Sequence, residues 1–176
     1  MEFNDVVKKN LFPILHKYGF NIEQDSKKSI LFQSSNVKVH IICNDYEDSF
    51  LIEIGKVGEM LYPLNNEIIR LVFNLEFPIE KISLSSFVEN TILLFENKIG
   101  IEILKGDINL LRDSIEKQSR DYTLMIMQEQ TLDSALKAWE VKDYMSFIKN
   151  IDIIGINKVP KSYQLKYGIA KQKVGL

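Results

Sequence analysis

The chain of 176 residues has a single cysteine and only two histidines. A lone thiol, Cys43, excludes an internal disulfide and a cysteine-built zinc site. His16 and His40 stand in no HxxxH or HxH spacing, so a histidine metal centre would have to draw its partners from distant segments. Hydrogen bonding is the simpler role for both. Nucleotide motifs are missing too: Gly55-Lys56-Val57-Gly58 has two glycines and a lysine, but not the phosphate-loop interval or its following Ser or Thr. No apolar run approaches the roughly 18 residues of a membrane helix, and Glu2 and Asp5 occupy the stretch where a signal peptide is positive. These absences predict a soluble cytoplasmic protein with no membrane partner, no cofactor and no metal.

What the chain does contain is a repeated alternation. Ile30, Phe32 and Ser34, then Val37, Val39, Ile41 and Cys43, then Phe50, Ile52 and Ile54 recur at every second residue, the spacing of one strand face. Short polar turns at Ser34–Asn36 and Asn44–Asp48 favour antiparallel neighbours, so residues 29–55 read as a β-meander with a buried face. Cys43 falls on that face as a small core residue, a reactive thiol being the alternative. Lys38 and His40 point to the other side, with Ile42 and Leu51, so the second face is predicted to be partly wet and partly a contact surface.

Around the meander the period is helical. Asn4 reads as the cap of a helix over 5–18 bearing Val7, Leu11 and Leu15, with Gly19 as its end and Pro13 predicting a kink or a split near Leu11. Phe20–Gln24 reads as a first strand, and Gly55 to Pro63 as a loop. Helices are predicted after Asn65 or Asn66, after Ser85 or Ser86, from Asp107 toward Met127, over Thr131–Trp139, after Asp143 and after Ser162. Ile99, Ile101 and Ile103 fit a strand or a buried helix equally well. The pair of helices around Lys142 resembles a helical repeat unit, but no second copy follows. The expected fold is α+β: an N-terminal helix packed on an antiparallel β-meander, followed by a mostly helical C-terminal half. At 45% hydrophobic and 26% charged residues, the chain is expected to form one compact domain, with 1–62 as helix plus meander and 63–176 mainly helical.

The net charge of −2 is unevenly spread. Residues 61–130 hold eleven acids against seven bases, and residues 131–176 hold four against eight. After Asp152 only Lys158, Lys161, Lys166, Lys171 and Lys173 are charged. Without arginine this sparse run reads as a solvated helix face and weighs against a nucleic-acid partner.

No catalytic constellation emerges. Glu53 and Lys56 invite comparison with metal-dependent nucleases, but an odd separation sends them to opposite faces of a regular strand, and only a bulge at Gly55 would reunite them. The densest acidic feature is the loop Asn44, Asp45, Tyr46, Glu47 and Asp48. It is a solvated hairpin tip or, in the sharper reading, a partner-binding site that offers a basic protein its acids around a Tyr46 anchor.

Tyr18-Gly19-Phe20 at the end of the first helix, the strands Ser29–Gln33, Val37–Cys43 and Phe50–Gly55, and the later Lys142-Asp143-Tyr144, Phe147-Ile148, Pro160, Lys166-Tyr167 and Ala170 carry a resemblance. The chain resembles bacterial immunity proteins of polymorphic-toxin systems and related uncharacterised families, over most of its length and at the level of architecture. That resemblance implies a non-enzymatic protein that blocks a cognate toxin in the cytoplasm. The alternative is an enzyme or nucleic-acid-associated module whose site assembles only in the fold.

Overall fold

A computed structural model describes residues 2–44 and 49–175. The fold is α+β, and the chain divides into two compact units, Met1–Lys117 and Gln118–Leu176.

The first unit opens with α1 (Phe3–His16), whose buried stripe is Val7, Leu11, Ile14 and Leu15. The helix is continuous through Pro13, so the split expected near Leu11 does not occur. Pro13 deprives the Lys9 carbonyl of its partner, but both residues are exposed, so water can replace that bond while the opposite stripe holds the helix to the core. Asn4 is not the cap: Glu2 holds that position, and the Asn4 amide donates instead to Asp25 and to the Ser26 carbonyl. Gly19 turns the chain at φ +80°, and Phe20 closes the corner fully buried.

Five antiparallel strands follow in the order β1-β2-β3-β4-β5. They are β1 (Asn21–Ser26), β2 (Ser29–Gln33), β3 (Val37–Asn44), β4 (Ser49–Lys56) and β5 (Tyr62–Leu64). Ser34 builds the β2–β3 turn, accepting at its Oγ from the Val37 amide at 3.0 Å. β5 was expected to be loop. It is a short edge strand, where Pro63 lacks a donor that no neighbour requires. The chain returns to form it by passing so close over Gly55 that a Cβ there would overlap the Met60 carbonyl.

Ile30, Phe32, Val37, Val39, Ile41, Ile52 and Ile54 are buried on one face, as their alternation requires. Cys43 and Phe50, expected in that layer, are only half-buried. Both sit toward the Asn44/Ser49 end of the sheet, and Phe50 is stacked on Phe3 and tilted against Phe87, with ring centroids at 5.9 and 5.1 Å. Three further helices cap the layer: α2 (Asn66–Phe73), α3 (Leu84–Glu96) and α4 (Lys98–Leu104). Asn65 caps α2 and Ser83, two or three residues before the expected serines, caps α3. The isoleucines at 99–103 are helical, since Gly100, Ile103 and Leu104 are the buried set. Gly100 is obligatory, because a side chain would collide with the Leu94 carbonyl.

The two helices expected between Asp107 and Trp139 are one, α5 (Asn109–Glu140), which contains neither Gly nor Pro to break it. Leu111 belongs to the core of the first unit, and Ala135 and Ala138 to that of the second. In the second unit, α6 (Tyr144–Ile154) and α7 (Lys161–Val174) enclose Phe147, Ile151 and Ala170. Asp143 caps α6, accepting from the Ser146 amide at 3.0 Å, and its hydrogen bonds to Ser146 hold its carboxyl below the usual range. The lysines of α7 are partly engaged with rings: Lys166 Nζ lies 5.5 Å from the Trp139 centroid and Lys171 Nζ 4.9 Å from that of Tyr167.

Phe32→Ala is expected to cost about 3–5 kcal/mol in urea denaturation, and Phe50→Ala clearly less, because a half-buried ring leaves a smaller cavity. Equal losses would contradict the packing of Phe50. For Asp143, a depressed folded-state pKa means stability present above the unfolded carboxylate pKa of about 4 and lost as pH falls through the folded value. The gap in melting temperature between wild type and Asp143→Ala should therefore be full at neutral pH and should close toward pH 2.

Candidate functional site

The face of the sheet turned away from the helices is the surface that the fold leaves for contact. Odd positions of β3 and even positions of β4 fill the core, so Lys38, His40 and Ile42, with Leu51 and Glu53, emerge opposite. Across the strands, Leu31 is paired with His40, His40 with Glu53, and Ile42 with Leu51. Leu31, Ile42 and Leu51 belong to neither apolar cluster of the core. Leu31 is nonetheless buried at 8% exposure beneath its neighbours, while Ile42 and Leu51 are half-buried.

At the centre, His40 Nδ1 lies 3.2 Å from Glu53 Oε2, with both side chains roughly three-quarters covered at 24% and 29% exposure. Sequence reasoning considered these two residues separately and missed the pair. A count across the hairpin would have found it: once Asn44 is opposite Ser49, a regular ladder sets His40 opposite Glu53. The result is a rigid, mixed surface, with aliphatic side chains flanking one charge-assisted contact and Lys38 at its margin.

Of the five residues expected to bind a partner, Asn44 ends β3 as a half-buried residue paired with Ser49. Asp45, Tyr46, Glu47 and Asp48 lie outside the described residues. Asn44 and Ser49, which flank them in the chain, end the strands that bear Ile42 and Leu51.

Glu53 and Lys56 do not meet on one face. The β3–β4 register runs without a shift through Lys38/Gly55 to Val37/Lys56, so there is no bulge at Gly55 to reunite them. Lys56 instead lines a polar notch of about 310 Å³ with Ser35, Asn36, Glu59, Lys105 and Gly106. Its lysines are offset by Glu59, and Lys105 is engaged by Glu102 at 3.3 Å. His16 donates from Nδ1 to the Phe20 carbonyl, 3.3 Å away, at the corner below α1. Among the described residues no group of three or more His, Cys, Asp or Glu is placed to hold a metal ion, and no helix is long and apolar enough to cross a membrane.

Comparison with protein-family models, with curated proteins and with solved structures returns no match.

Titration calorimetry with magnesium, calcium, manganese and zinc is expected to show no stoichiometric binding tighter than roughly micromolar, about 8 kcal/mol. A tight site abolished by Glu53→Gln would bring the nuclease reading back.

Proposed function

We propose that the chain is a non-enzymatic binding protein, an immunity or inhibitor protein that neutralises a cognate bacterial toxin in the cytoplasm. The surface it uses is the sheet face bearing His40, Ile42, Leu51 and Glu53 together with Asn44, Asp45, Tyr46, Glu47 and Asp48. The observation that carries this reading is the pairing of Ile42 with Leu51 beside the His40–Glu53 contact, on the sheet face opposite the buried alternation. Protein interfaces draw most of their energy from a few anchors surrounded by contacts that exclude water. A sheet fixes such anchors in place before binding, which lowers the ordering cost of association. The acids of the hairpin add a charge signal for a basic partner, acting mainly on the rate of encounter.

The test is a rescue experiment. Reading frames flanking the gene in its host are expressed one at a time in a sensitive bacterium, with and without this protein. Restored growth for one of them, and a complex with its purified product, are the expected outcomes. Within that complex Tyr46→Ala should weaken binding by about 2 kcal/mol or more, and Leu51→Arg should do the same by placing a charge on the aliphatic patch. Reversing Asp45 or Asp48 should slow association more than it speeds dissociation. Failure of every flanking product to be neutralised would sink the immunity reading; protection untouched by all four variants would keep the function and discard the surface.

A further inference from the structure

The core of the second unit buries one stripe of α6 and leaves the neighbouring one largely exposed, with buried Ile148 shared between the two as the floor of the exposed one. Phe147, Ile148, Ile151 and Ile154 face inward. Met145, Ile148, Lys149, Asp152 and Ile153 follow one another at the i, i+3, i+4, i+7, i+8 intervals of a second continuous stripe, and together they line a shallow groove of about 610 Å³. Its apolar ends stand out from the surface: Met145 is 60% exposed and Ile153 is 68% exposed. The exposed apolar side chains thus flank a charged centre.

The charges identify the occupant. α6 carries only two, Lys149 and Asp152, of opposite sign and three residues apart in the middle of the stripe. Among the described residues Lys149 has no ion pair or hydrogen bond. Asp152 accepts from the Tyr167 hydroxyl at 2.6 Å through one oxygen, which orients the carboxylate and leaves its other oxygen available. A uniformly basic or acidic partner would satisfy one of these charges and oppose the other. A second α6 lying antiparallel across a two-fold axis satisfies both, because it sets Lys149 of each copy against Asp152 of the other and Ile148 against Ile153. Such self-complementarity is what an isologous contact requires.

We propose that this stripe of α6 is a homodimer contact, in which a second copy of the chain docks antiparallel through Met145, Ile148, Ile153 and two reciprocal Lys149–Asp152 pairs. The contact is independent of the toxin-binding reading, which concerns the first unit. Nine helical residues span only about 12 Å, so the interface belongs to the small class below about 1,200 Å² and forms a reversible monomer–dimer equilibrium at micromolar concentration.

Sedimentation equilibrium of the full chain, from about 5 to 500 µM, tests it. The wild type is expected to pass from monomer toward dimer across that range. Lys149→Glu, which sets like charges face to face, and Met145→Glu, which buries an acid in the apolar end, should each raise the dissociation constant at least about tenfold. Asp152→Lys should also fail to self-associate, yet an equimolar mixture of Lys149→Glu and Asp152→Lys should dimerise, since both reciprocal pairs are then of opposite sign. If loss of the Tyr167 bond unfolds Asp152→Lys, as circular dichroism would reveal, the Lys149→Glu and Met145→Glu results decide alone. A wild type that stays monomeric throughout, or a dimer indifferent to both of these variants, overturns the proposal.

Discussion

The structure of the first unit depends on the burial of one face of a regular antiparallel ladder. β2, β3 and β4 share a register without slips, so every second side chain enters the layer under the helices and every other one is denied to it. A one-residue slip would place Lys38 and His40 in the core, which makes the register energetically stiff. The same stiffness organises the surface opposite. His40 meets Glu53, and Ile42 meets Leu51, because Val39, Ile41, Ile52 and Ile54 must be where they are. The candidate contact surface is thus a by-product of core packing and inherits its rigidity.

The cover over that layer is held by small devices where a bulky residue would fail. Gly55 lets the chain fold back to add β5, and Gly100 lets α4 press on the end of α3. Asn66 ties the segment after α2 down, its side-chain oxygen accepting from the Ile79 amide at 2.8 Å while the Glu80 carboxylate accepts from the Asn66 amide at 2.9 Å. The glycines remove a steric conflict, while Asn66 satisfies the part-buried Ile79 amide. The sheet edges are treated differently: β5 is short and carries a proline, and β1 is exposed along its length but bulged between Ile22 and Gln24. Both features discourage strand addition at the edges.

In the second unit, aromatic packing takes over the role that aliphatic alternation plays in the first. Trp139, Phe147 and Tyr163 are in ring contact in sequence, with centroids at 5.3 and 6.5 Å, and Lys166 lies over two of the three. A lysine whose ammonium lies over rings gains a cation–π attraction that helps hold it there. With three helical segments around one small core, the unit cannot bury every apolar residue, and Met145 and Ile153 are left exposed along with others such as Val141 and Leu165.

By itself the sequence determined whatever depends on period and on local hydrogen bonding. The alternation of residues 30–54 specified the strands and their faces, and Asn65 and Asp143 announced their helices because a cap is a contact between near neighbours. Where the competing states were locally similar, tertiary structure decided. Ile99–Ile103 became helical because a glycine at position 100 permits close packing against α3, and Pro13 stayed in its helix because buried side chains on the far side outweigh one lost bond at a wet surface. β5 needed a neighbour to pair with, and α5 proved continuous because its two apolar stripes belong to different cores. The contact between His40 and Glu53 joins residues thirteen apart through a register, so it arises only when two strands align; periodicity places each on a face but leaves the partner to the fold.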